Sequence, residues 1–148
     1  MVKIIDLDNT ISDDEWRLKY IKDTDDMFIK YDWYHRLSSW DLPYHKAIFK
    51  PNRDVPLYIF TSRPTAYCEQ TARWLLRWGI TYDAMLMRPD DNFESSPVLK
   101  ARFLDRLFAM EYRTDPRDFT AYDDREDVIE MYKRKGINAV LKQINKRR

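Results

Sequence analysis

The chain has 148 residues, 44% of them apolar and 15% aromatic, with a formal net charge of +1. That composition leaves no case for disorder and suits one domain with a real core, while the near-neutral charge gives no strong electrostatic argument for nucleic acid. No apolar run approaches the roughly 20 residues that span a bilayer, so no membrane association is expected, and a single cysteine, Cys68, excludes an internal disulfide and fits a reducing compartment.

The first segment, Val2-Lys3-Ile4-Ile5-Asp6-Leu7-Asp8-Asn9-Thr10, reads as a buried strand over 2–7 that ends in two carboxylates one residue apart. Side chains alternate along a strand, so Asp6 and Asp8 are expected on the same side, close enough to perturb one another or to recruit a cation. The chain enters this strand directly, without a leader sequence, so a cytoplasmic location is expected. Residues 11–50 break the pattern: the stretch is charged and carries nine aromatics, Trp16, Tyr20, Phe28, Tyr31, Trp33, Tyr34, Trp40, Tyr44 and Phe49. It predicts a small, mostly helical insertion over the acidic strand end, with most of its aromatics forming its own core and one or two left to stack on a base. His35 and His45 have no partner at metal-ligand spacing and read as structural or surface residues.

Beyond residue 50 strands and helices alternate, the pattern of a parallel sheet. Pro56-Leu57-Tyr58-Ile59-Phe60 predicts a strand over 56–61 ending in Thr61-Ser62-Arg63, and Pro64 opens a helix over 64–78. On that helix Cys68 shares a stripe with Ala72, Leu75 and Leu76, so it is expected to pack. A strand over 83–87 follows. Ser95-Ser96-Pro97 then caps a helix over 96–111 that carries Lys100 near its start, within reach of the strand ends. Phe119-Thr120-Ala121-Tyr122 makes a strand over 118–122 that leads into Asp123 and Asp124, before a helix over 125–135 and a last strand over 138–141. Gly79 and Gly136 stand where helix ends favour glycine. Lys142, Lys146, Arg147 and Arg148 form a basic end that reads as solvated. The polar residues thus gather at one edge of a sheet, where open α/β sheets bind ligands.

This ordered set, Asp6-x-Asp8-x-Thr10, Thr61, Lys100 and Asp123-Asp124, resembles the haloacid dehalogenase (HAD) superfamily of aspartate-nucleophile phosphotransferases. The resemblance covers nearly the whole chain. It implies an α/β fold with a Rossmann-like parallel five-stranded sheet flanked by helices, a single HAD-like phosphatase domain over 1–148 in which 11–50 is a small helical cap insertion. Within the superfamily the chain is most similar to the 3'-phosphatase module of polynucleotide kinase/phosphatase enzymes, whose arginines are matched here by Arg63 and Arg17. Two departures stand out: Asn9 replaces a frequent glycine, and Ser95 and Ser96 stand where the module has acids. A kinase half would need closely spaced glycines before Lys-Ser/Thr, and only Gly79 and Gly136 are available.

The resemblance also implies roles. Asp6 is the expected nucleophile and Asp8 the general acid and base, while Thr61 and Lys100 hold phosphoryl oxygens and Thr10, Arg17, Ser62 and Arg63 contact the substrate. Mg2+ is the implied cofactor, held by Asp6, the backbone carbonyl of Asp8, and Asp124 with help from Asp123. The expected activity is a magnesium-dependent phosphomonoesterase on nucleotide or phosphate-ended DNA or RNA, 3'-phosphate ends favoured, with no obligate protein partner. Its rivals are a 5'-nucleotidase acting on deoxynucleoside monophosphates and an inactive nucleic-acid-binding protein on the same fold.

Overall fold

The structure, a computed structural model, describes residues 1–22, 27–50, 54–110 and 115–147, with backbone alone at 22 and 27–30. The side chain of Phe28, residue 111 of the expected 96–111 helix and Arg148 therefore lie outside the described residues. Five parallel strands form one sheet: β1 (Val2–Ile5), β2 (Leu57–Pro64), β3 (Ala84–Arg88), β4 (Phe119–Asp123) and β5 (Asn138–Leu141), in the order β3-β2-β1-β4-β5. Every strand read from the sequence is present. Among the strands the largest boundary change is in β2, which runs past Thr61 to Pro64 because the chain stays extended and resumes pairing with Arg88 after a register shift, so the helix expected from Pro64 begins only at Cys68, after a 3-10 turn at Thr65–Tyr67.

Among the described residues between β1 and β2 lie three short helices, α1 (Lys19–Lys22), α2 (Met27–Arg36) and α3 (Lys46–Phe49), with 3-10 turns at Glu15–Arg17 and Leu37–Trp40. The later crossovers carry α4 (Cys68–Arg77), α5 (Ser96–Met110) and α6 (Glu126–Arg134), one after each of β2, β3 and β4. A parallel sheet covered on both faces needs apolar residues of either parity, and the strands supply them. Ile4 and Phe60 join Leu99, Phe103, Val128 and Tyr132 on the α5 and α6 face. Ile5 and Ile59 join Trp74 and Leu75 of α4 on the other, together with Ile11, Ile48 and Phe49 from the β1–β2 connection. Gly136 follows α6 at φ 81°, and a Cβ there would meet Pro116 at 3.2 Å, so glycine fits both the turn and the packing.

Two expectations need correction. Cys68 is exposed, because the buried stripe of α4 is Thr71, Trp74 and Leu75, while Leu76 is 80% exposed. The aromatics of 11–50 are also mostly outside: Tyr34 and Phe49 are buried, whereas Trp16, Tyr31, Trp33, Trp40 and Tyr44 are exposed. The interior of this connection is polar instead, built on Arg17, Asp14 and Asp41, and its apolar residues Ile48 and Phe49 pack into the sheet's core. Among the described residues no helix is long and apolar enough to cross a membrane.

Candidate active site

β1 pairs with β2 on one side and β4 on the other, so its carboxyl end sits where the strand order reverses, the crevice-forming position of an open parallel sheet. Asp6 leaves β1 still paired, donating its N–H to Tyr122 O at 3.0 Å. The chain then turns sharply. Asn9 adopts φ 61°, a left-handed conformation that asparagine tolerates, and the N–H groups of Thr10, Ile11 and Ser12 all donate to Leu7 O at 2.9–3.1 Å. The turn returns Thr10 to Asp6, where its hydroxyl donates to Oδ2 at 2.9 Å.

Asp6 anchors an acidic cluster. Carboxylate oxygens of Asp6, Asp123 and Asp124 all lie within 4.8 Å of one another. Lys100, on the first turns of α5, reaches back and donates to Asp6 Oδ1 at 2.8 Å and Asp123 Oδ2 at 2.5 Å. One buried ammonium does not balance three carboxyls. Burial and the charge of Asp123 push the Asp6 carboxyl up to about 6 against the pull of Lys100, and burial with Asp6 and Asp123 pushes Asp124 up to about 9. A set of converging oxygens short of positive charge fits a hard divalent cation, Mg2+ among them.

Asp8 belongs to an adjoining cluster in which guanidiniums face the carboxylates. The turn parts its carboxylate from that of Asp6, although its charge still adds to the upward push on Asp6. Arg63 donates to Asp8 from Nε at 3.1 Å and from Nη2 at 2.7 Å, and Arg17 Nη2 donates to the same Oδ1. Burial alone would raise the Asp8 carboxyl, but Arg63 and then Arg17 hold it well below the usual carboxylate range. Both guanidiniums are fully buried. Arg17 is further fixed by Asp41, by Tyr34 O at 2.8 Å and by the Tyr34 ring, whose centroid lies 4.2 Å from Cζ.

A strap closes the far side. Asn145 N donates to Asn9 Oδ1 at 2.8 Å while Asn9 Nδ2 donates to Asn145 O at 2.9 Å and to Asp124 Oδ2 at 3.2 Å. Ile144 N donates to Asn9 O at 2.8 Å, and Gln143 Nε2 to Asp124 O at 2.9 Å. Arg147 pairs with Asp14, which also accepts the Tyr34 hydroxyl. Arg147 is thereby held in an ion pair, not solvated at a loose end.

Of the residues singled out in the sequence, Asp6, Thr10, Lys100, Asp123 and Asp124 come together, and Asp8, Arg17 and Arg63 stand beside them. Thr61 is buried, its hydroxyl accepting from Arg63 N at 3.1 Å. Ser62 and Ser96 share a hydroxyl hydrogen bond at 2.9 Å, which ties β2 to the start of α5. Asp41, Ser12, Tyr34, Asp14 and Asn145 escape sequence reasoning, since their partners lie 17 to 136 positions away and no local spacing marks them.

Comparison with known proteins agrees with this architecture. Two chains described as parts of Pnkp1/Rnl/Hen1 complexes, one of them an RNA repair complex, superpose with TM-scores of 0.67 and 0.65 at 23% and 22% identity over 95% of this chain. This chain spans only 41% and 45% of theirs. A haloacid dehalogenase-like hydrolase from Streptococcus pneumoniae (TM-score 0.65, 12% identity) matches 95% of this chain and 83% of its own. A putative beta-phosphoglucomutase from Thermotoga maritima (0.64, 15%) matches 99% and 88%. These likenesses establish the HAD-type fold, and no curated protein gives a significant match. Residues 1–146 match the family model described as the polynucleotide kinase PNKP phosphatase domain, a span that takes in the whole acidic strand-end constellation and the clasp at Asn145, and the chain belongs to that family of HAD phosphatase domains.

Proposed function

We propose that this phosphatase domain is a magnesium-dependent phosphomonoesterase that works through an aspartyl-phosphate on Asp6 and acts on phosphate-ended polynucleotides, 3'-phosphate ends first. The observation that carries the reading is the placement of Lys100 between Asp6 and Asp123, at 2.8 and 2.5 Å, beside three carboxyls that converge within 4.8 Å. Such a cluster is costly to bury unless it serves chemistry on an anion.

In the first step an Asp6 oxygen attacks phosphorus, the bond to the leaving oxygen breaks, and Asp8 supplies that oxygen's proton. In the second, Asp8 takes a proton from water, the hydroxide attacks phosphorus, and the bond to Asp6 breaks to release phosphate. The ionised state of Asp8 suits the second step. For the first, a phosphate drawn to Arg63 and Arg17 would loosen their hold on Asp8 and let it carry a proton. Thr10 and Lys100 hold the nucleophile's two oxygens, so Asp6 needs no reorientation before attack. Asp6, the Asp8 carbonyl, Asp123 and Asp124 would hold Mg2+, whose charge when bound offsets repulsion between nucleophile and phosphate. We read 11–50 as the cap over this site, with Thr61, Ser62, Arg63 and Arg17 as its phosphate side.

The likeness to chains from an RNA repair complex supports polynucleotide ends and brings RNA into the test. Phosphate release should be measured on 3'- and 5'-phosphorylated DNA and RNA oligonucleotides and on free mononucleotides, with magnesium or chelator. The reading expects release from 3'-ended strands that stops in chelator. Faster turnover of free 5'-mononucleotides, with 3'-ended strands ignored, would replace it with the nucleotidase.

A further inference from the structure

We infer that Asp41, a buried carboxylate in the β1–β2 connection, is a positioning residue that sets Asp8 through Arg17 and Arg63. This inference rests on the proposed role of Asp8 in phosphoryl transfer. Asp41 directly follows the 3-10 turn Leu37–Trp40, 33 positions from Asp8 in the chain, and its side chain is wholly excluded from solvent. Its fixed place comes from the main chain. Asp41 N donates to Ser38 O at 3.1 Å, and Asp41 O accepts from Trp74 Nε1 at 2.9 Å, which anchors it to α4.

From that position the carboxylate organises both guanidiniums. Arg17 grips it with Nε at 2.9 Å from Oδ1 and Nη2 at 2.7 Å from Oδ2, the two-point geometry that fixes a guanidinium plane. The same Nη2 then reaches Asp8. Toward Arg63 the link runs through Ser12, whose hydroxyl donates to Asp41 Oδ2 at 2.6 Å and accepts from Arg63 Nη2 at 3.2 Å. Arg63 Nη2 also lies 3.9 Å from Asp41 Oδ2 directly. Trp16 Nε1 completes the shell at 2.9 Å from Oδ1.

The charges explain why this matters. Two buried guanidiniums beside Asp8 alone would leave a net positive pocket and compete for one carboxylate, and that carboxylate is the partly open one, with 19% of its side chain exposed. Asp41 supplies the second negative charge on the closed side. It thereby leaves each arginine one end to hold Asp8 and one end that cannot swing.

The test uses the whole domain and para-nitrophenyl phosphate as well as a 3'-phosphorylated oligonucleotide, so that an error about the polynucleotide substrate is seen separately from an error about Asp41. Asp41→Asn should lower kcat about tenfold or more while KM moves less than about threefold, the pattern of lost alignment in the transition state. Adding Asp41→Asn to Arg17→Met should cost far less than Asp41→Asn costs alone, because only the link through Ser12 to Arg63 is then left to lose. Full multiplication of the two losses would overturn the inference, as would an Asp41→Asn enzyme of normal kcat. Ser12→Ala removes only the link to Arg63 and gives a milder variant should Asp41→Asn fail to fold, with a kcat loss expected and KM held. A stability cycle between Asp41→Asn and Asp8→Asn, read by urea unfolding, needs no turnover. The two carboxylates share Arg17, so their effects on the unfolding constant should depart from multiplication by about fivefold or more, and simple multiplication would count against the shared clamp.

Discussion

At Asp6, the proposed nucleophile, the two carboxylate oxygens are held by different partners, Thr10 and Lys100, and burial already raises its pKa to about 6. Replacing it with asparagine should therefore cost chemistry and not folding. Asp6→Asn is expected to lose more than about a hundredfold in turnover, the consequence of removing several kcal/mol of covalent catalysis, with urea unfolding at pH 7 unchanged or shifted to higher concentration. Residual turnover above that level would exclude a covalent Asp6. His35 gives a pH prediction. It is buried among Tyr31, Tyr34 and Tyr67, its Nδ1 has no hydrogen-bond partner among the described residues, and burial lowers its pKa from 6.5 to about 3. As pH falls from 6.5 toward 3 the unfolded chain takes up a proton that the folded one refuses, so stability present above pH 6.5 is lost through that window. His35→Phe should abolish this contribution, about 2 kcal/mol between pH 7 and pH 5, and the difference between the two proteins' urea curves isolates it from Asp6 and Asp124, whose raised values act in the opposite direction. Equal slopes for both proteins would refute it. Asp6, Asp8 and Thr10 are legible in sequence because one short turn carries them. Asp41 and Tyr34 are not, because what makes them matter is a guanidinium brought from elsewhere in the chain.

Each element's contribution depends on where its end falls. α5 begins at Ser96, tied to β2 by Ser62, and this sets Lys100 one turn later against the ends of β1 and β4. Lys100→Met keeps the stem's volume and removes the charge, leaving buried carboxyls without their cation. Without metal it should destabilise the domain by about 3 kcal/mol, the lower end for breaking a buried pair because Asp6, already raised to about 6, can protonate in response. Urea unfolding with and without magnesium checks this: the cation should recover part of the loss, and a variant indifferent to magnesium would contradict a shared charge balance. The strands and α4 to α6 were readable because alternation and helical spacing both point at a sheet covered on two faces. The connection from β1 to β2 was readable only as helical. Its aromatics suggested a core, yet the space is filled by Arg17, paired with Asp41, and by Asp14, paired with Arg147, with Trp16, Trp33 and Trp40 left at the surface.

For the whole domain, a cation bound only in the folded state must stabilise it. Magnesium at about a hundred times its dissociation constant should add about 2.7 kcal/mol and raise the melting temperature by about 5–10 °C for a chain of this size. Asp124→Asn should remove that increment, and an identical shift in the variant would exclude Asp124 as a ligand. The polar residues at the strand ends made the site's location predictable, whereas the clasp between Asn9 and Asn145 was invisible, as no pattern links residues 136 positions apart. That clasp bears on biosynthesis. During translation Asp6, Asp8, Arg17 and Arg63 emerge before β4, and once β4 has left the ribosome the sheet can bring Lys100 and Asp123 to them. The turn at Asn9 and the side chain of Asp124 still lack their final tether until residue 145 has been made. A nascent domain thus carries its reactive groups with the turn unlatched until the segment that fastens it has followed β5 out of the ribosome.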